Sequence, residues 1–136
     1  MNNAIGGFFG LELLGENDLF SSEKGFVGLN SGRNCLEYIL KVRNYHFLYL
    51  PYFTCEVILE PLKKLEIPFE FYDIDDNLEP IFDYTKITSN QGFLYTNYFG
   101  TKDKFIAQVS AKIPNLIIDN AQSLFSKPLE NIDTFY

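Results

Sequence analysis

The chain has 136 residues, room for one domain with a real core and too little for two. Hydrophobic residues make up 46% and aromatic residues 17%, so the composition is that of a folded protein and not of a disordered one. With 11 basic against 18 acidic residues, a net charge of −7 and no Lys/Arg cluster, a nucleic-acid or anionic-membrane surface is disfavoured. Cys35 and Cys55 are the only cysteines, which is neither a disulfide framework nor a metal-ligand set. The start, Met1 to Gly7, has no basic segment followed by an apolar one, and no stretch has the length of a membrane span. These features predict a cytoplasmic protein.

Residues 1–25 are Gly-rich and aromatic, then polar, which predicts an extended arm. Ser31 is a good N-cap, and Leu36, Ile39 and Leu40 follow at helical spacing, predicting a helix from about Arg33 to Arg43. His46 to Leu50 reads as a strand closed by Pro51. Thr54 then caps a helix carrying Val57, Ile58, Leu62 and Leu65, with Pro61 kinking it near Val57–Ile58 or splitting it at Glu60. Phe69 to Asp73 alternates as a strand does, and Asp75 through Gln91 reads as a long surface connection. Gly92 to Tyr98 predicts a further strand, and Thr101 a cap for a helix with Phe105, Ile106 and Val109 on one face.

Leu116-Ile117-Ile118 is apolar on both faces, as a central parallel strand covered by helices must be. It ends in Asp119-Asn120-Ala121-Gln122, and the carboxyl ends of such strands are where open α/β sheets bind ligands. Asp119 there either caps the next turn or serves a ligand. Ile132 to Tyr136 reads as the start of one more strand, with an apolar edge that invites pairing with another copy. Alternating strands and helices predict an α/β fold: a mostly parallel sheet with helices on both faces.

Several strands end in a group able to do chemistry. Asn30-Ser31-Gly32-Arg33-Asn34 opens a helix whose N–H groups suit a phosphate, although Ser-Gly before a helix also serves as a plain cap. Tyr52-Phe53-Thr54-Cys55 and Asn97-Tyr98 bring aromatics that stack on a flat ring or pack the core. Asp119 and Gln122 follow the Leu116-Ile117-Ile118 strand. A phosphate cradle, an aromatic platform and an acid for a protonated ring nitrogen together describe a pyridoxal-phosphate site.

Ile5-Gly6-Gly7-Phe8-Phe9, Leu29 to Leu36, Leu50 to Cys55, Asn97-Tyr98-Phe99-Gly100 and Ile118 to Gln122 run nearly the length of the chain. In that order they resemble the amino-terminal part of the DegT/StrS-type sugar aminotransferases, pyridoxal-phosphate enzymes of fold type I. The resemblance implies part of a fold type I large domain, with the loop of Ser31, Gly32, Arg33 and Asn34 on the cofactor phosphate. It implies Asp119 on the pyridinium nitrogen and Gln122 near the ring hydroxyl. Cys55 stands where many relatives place an aromatic over the ring, which leaves Phe53 as the nearby stacking candidate. Arg33 stands where many have Thr. The parent activity is amino transfer from an amino acid to a nucleotide-linked keto-sugar, in an enzyme expected to be a homo-oligomer. The family's Schiff-base lysine lies beyond the strand that begins near Ile132, and Lys127 follows Asp119 too closely to be that residue. The expectation is therefore a partial site, without a catalytic lysine and inactive alone. The rival reading is a non-catalytic α/β module holding a phosphate-bearing ligand or a partner subunit. A dinucleotide enzyme is disfavoured, since no G-x-G-x-x-G follows the first strand.

Overall fold

The computed structural model describes residues 26–136; the arm expected over residues 1–25, with its Ile5 to Phe9 piece, lies outside them. Within that span the apolar runs form strands β1 (Phe47–Pro51), β2 (Phe69–Ile74), β3 (Pro80–Ile81), β4 (Gln91–Thr96), β5 (Leu116–Asp119) and β6 (Asp133–Phe135). The helices are α1 (Gly32–Arg43), α2 (Leu59–Lys64) and α3 (Asp103–Val109). The sheet order is β3-β2-β1-β4-β5-β6, parallel throughout except where β3 pairs antiparallel with β2.

Residue alternation divides the core. Leu48, Leu50, Leu94, Ile117 and Phe135 point to one face, where they meet Leu36, Ile39 and Leu40 of α1 and Ile58 and Leu62 beside and within α2. Tyr49, Phe93, Tyr95, Leu116 and Ile118 point to the other, against Ile106 and Val109 of α3. A strand buried on both faces has to be apolar along its length, and β5 is so from Leu116 to Ile118, ending on the buried Asp119.

Local chemistry explains most of the boundaries. Ser31 is extended, and its hydroxyl accepts the Asn34 N–H at 3.4 Å, opening α1 where the sequence placed it. Asn44, left-handed at φ 54°, ends the helix after Lys41 and Arg43, which complement its dipole. Arg43 grips Asp133 through two bonds of 2.7 and 2.8 Å, tying the far end of α1 to the edge strand β6.

Other expectations are corrected. The second helix does break near Val57–Ile58, but as a 3-10 turn, Glu56–Ile58, followed by α2, with Pro61 in the first turn of α2, where its missing N–H costs nothing. Thr54 is not its cap: Cys55 precedes the 3-10 turn with no side-chain bond. Nor does Thr101 cap α3, since its hydroxyl donates to Tyr98 O, and the Lys102 N–H goes to Asn97 Oδ1. The connection from Asp75 to Gln91 holds β3, and its Phe82 and Tyr84 cover the β1–β2 side of the sheet. The Phe135 ring is buried against α1, while β6 itself stands at the edge of the sheet.

Candidate functional site

From β1 the chain moves outward to β2, whereas β4 lies on the other side of β1, so the sheet reverses direction between β1 and β4. At such a reversal the connections leave the carboxyl edge in opposite directions and open a crevice. Thr96, Asn97, Asp119, Asn120 and Phe53 stand along that edge.

Asp119 follows Ile117 by two residues and so faces the α1 side, and it is 7% exposed. The only hydrogen bond to its carboxylate among the described residues is the Ala121 N–H on Oδ1, at 2.9 Å. Asp119 thus makes the short local turn of the first sequence reading, with a buried carboxylate. Burial pushes its carboxyl above the ordinary value, a cost that the single N–H bond offsets in part.

Thr96 and Phe135 are the register partners of Asp119 on either side. Thr96 shares the α1 face with Leu94; it is 4% exposed, and its Oγ1 is buried with no hydrogen-bond partner among the described residues. Tyr98 arches over the end of β4, donating its hydroxyl to Phe53 O at 2.9 Å, with its ring stacked on Phe53 at 5.7 Å. Burial pushes the Tyr98 hydroxyl up to about 12, against a lowering by the nearby Thr96 hydroxyl and with a small rise from the charge of Asp119, so Tyr98 stays a donor at neutral pH. Tyr98 itself is buried as a core residue, while Phe53 is 58% exposed and offers a ring face to the crevice.

The start of α1 approaches the same edge. A Cβ on Gly32 would meet the Phe135 ring at 3.5 Å, an ordinary contact. The Asn34 amide is taken by Ser31 Oγ and that of Cys35 by Ser31 O. The amides of Gly32 and Arg33 have no acceptor among the described residues. An anion suits such a pair.

The structure thus brings Ser31, Gly32, Phe53 and Asp119 to one edge. The Arg33 guanidinium turns to Glu60, and the Asn34 side chain bonds back to Asn30. Cys55 and Gln122 are both exposed on loops leaving that edge. Sequence reasoning missed Thr96 and the part played by Asn97. The Asn97 Nδ2 lies 2.8 to 3.2 Å from Asp103 Oδ1, Asn120 Oδ1, Ser123 Oγ and Ser126 Oγ. Its backbone N–H reaches Asp119 O at 2.9 Å, so Asn97 fixes the exit of β5 that positions Asp119. The available signal was a Thr and an Asn ending an otherwise apolar strand. A cavity of about 300 Å³ opens on the α3 side, lined by Asn97, Ile106, Asn120, Phe125 and Lys127 among others. Lys127 therefore lies across the sheet from the Asp119 carboxylate.

No family model matches the chain, and no curated protein matches it. A solved structure of 3-amino-5-hydroxybenzoic acid (AHBA) synthase superposes with a TM-score of 0.51 at 20% identity. The match covers 67% of this chain and 26% of that one, so the present chain spans about a quarter of the length of that protein. At this identity the likeness is one of fold. The chain has an α/β fold, a mostly parallel sheet with helices on both faces, as in part of a fold type I pyridoxal-phosphate transferase large domain.

Proposed function

We propose that residues 26–136 form the cofactor-holding part of a pyridoxal-phosphate aminotransferase of the DegT/StrS type. The observation that carries this reading is Asp119: a buried carboxylate with one hydrogen bond, at the end of a central strand and beside a helix start with two open amides. A buried charge requires a partner, and a protonated ring nitrogen is one. The residues present fit the cofactor. Ser31 and the Gly32 and Arg33 amides would hold its phosphate, Phe53 would cover its ring, and Asp119 would keep its nitrogen protonated. Gln122, on the next turn, would serve the ring hydroxyl. Bound, the cofactor supplies an electron sink for amino-group transfer. Tyr98, held to Phe53 O, fixes the loop that carries the stacking ring.

The amino acceptor in this reading is a nucleotide-linked keto-sugar. Within the described residues Lys127 points to the α3-side cavity, which supports the further proposal that this polypeptide binds the cofactor without completing turnover. Equilibrium dialysis with pyridoxal phosphate tests the reading. The wild type should bind one equivalent, and Asp119→Asn should bind at least tenfold more weakly, because a charge-assisted bond of about 1.5–3 kcal/mol is lost. Equal affinity in the two proteins sinks the assignment. Borohydride treatment of the loaded protein, followed by peptide mapping, should leave Lys127 unmodified. Stoichiometric label there would instead make it the reactive amine.

A further inference from the structure

We infer that Thr96 is a positioning residue of the same site, its hydroxyl donating to the Asp119 carboxylate when a cationic ring is bound there. The inference rests on the cofactor reading above and adds a residue that the resemblance does not assign. Three observations lead to it. Thr96 ends β4 in register with Asp119 of β5, and by alternation both side chains face α1. Among the described residues the Thr96 Oγ1 is buried without a hydrogen-bond partner, the Tyr98 hydroxyl being a polar neighbour, and such a condition is uncommon and costly for a hydroxyl. The Asp119 carboxylate has one oxygen held by Ala121 N–H and no second donor among the described residues.

Burial works against the charge on Asp119. A cationic ring reverses this. The carboxylate is then held ionised, and a hydroxyl bonded to it makes a charge-assisted contact, stronger than a neutral one. Adjacent parallel strands lie about 4.8 Å apart, within which a turn of the Thr χ1 brings the hydroxyl toward the neighbouring carboxylate. The orphaned hydroxyl is thus a donor held in reserve, unsatisfied in the free protein and engaged in the loaded one.

Opposite effects on stability and affinity separate this role from a packing role. Thr96→Val keeps the shape and removes the orphan, so the free protein should melt at the same temperature or higher. Its affinity for pyridoxal phosphate should fall about tenfold, the equivalent of 1.4 kcal/mol, and Thr96→Ser should restore most of it. A Val variant that binds as tightly as the wild type overturns the role of Thr96 while leaving the cofactor site standing. A Val variant that melts lower and binds weakly, with Ser giving no rescue, makes Thr96 a packing residue and also overturns it. If the wild type itself takes up no pyridoxal phosphate, the cofactor reading falls and the role of Thr96 with it.

Discussion

Burial raises the Asp119 carboxyl in the folded chain above its ordinary value, so the folded state takes up this proton first as the pH falls. A raised acid favours folding most when protonated, below the unfolded value. That contribution is lost as the pH rises through the folded value. Asp119→Asn keeps an oxygen for the Ala121 N–H and removes the charge. The variant should therefore unfold at higher denaturant than the wild type at pH 7, with the gap closing on acidification toward pH 4. Glu37, Asp75 and Asp83 shift the opposite way, but they are common to both proteins and cancel in the difference. A gap that widens on acidification contradicts the sign. At this scale the sequence was informative for local bonds, as at the Ser31 cap and the Asp119 turn. Thr96 was hidden because its meaning depends on the register between two strands, which no single stretch contains. Asn97 was hidden for the same reason, since its partners Asp103, Asn120, Ser123 and Ser126 lie on later segments.

At the scale of elements, the seam between β1 and β4 sets how closely α1 can settle on the sheet. Gly92 of β4 pairs with Leu48, and a Cβ there would come within 2.9 Å of Leu48 Cδ1 and 3.1 Å of the Tyr45 ring. The glycine is needed for this close approach and not for backbone freedom. Gly92→Ala should cost about 1–3 kcal/mol by overpacking, read as a shift of the urea midpoint at constant slope. No change in midpoint means that the Tyr45 ring yields freely. The strands were legible because each is an apolar run bounded by turn residues, and the boundaries moved by only a residue or two. The helix starts after β1 and β4 were not. Thr54 and Thr101 look like caps by type, yet in both places the chain first makes a 3-10 turn that spends the expected bonds elsewhere. The antiparallel β3 escaped notice because two residues carry no period.

Over the whole molecule the two faces of the sheet differ in kind. The α1 side is filled mainly by Leu and Ile, while the α3 side mixes Ile, Leu and Val with most of the buried Tyr and Phe, Tyr72 stacking on Phe93 at 4.5 Å and Phe82 packing on Tyr49 at 4.8 Å. The alternation that produces this is plain in Phe47-Leu48-Tyr49-Leu50 once the strand is placed, though nothing in it says which helix each side meets. The consequence is optical. The chain has no Trp, and of its buried tyrosines only Tyr45 lies on the α1 side, while Tyr49, Tyr72, Tyr95 and Tyr98 lie on the other. Near-ultraviolet circular dichroism therefore reports the order of one face and is nearly blind to the opposite one. Phe82→Ala, on the α3 side, should erase much of that signal, and Leu62→Ala, on the α1 side, should lower the melting temperature with the signal kept below the transition. Equal loss of ellipticity from both substitutions means that the two faces loosen together.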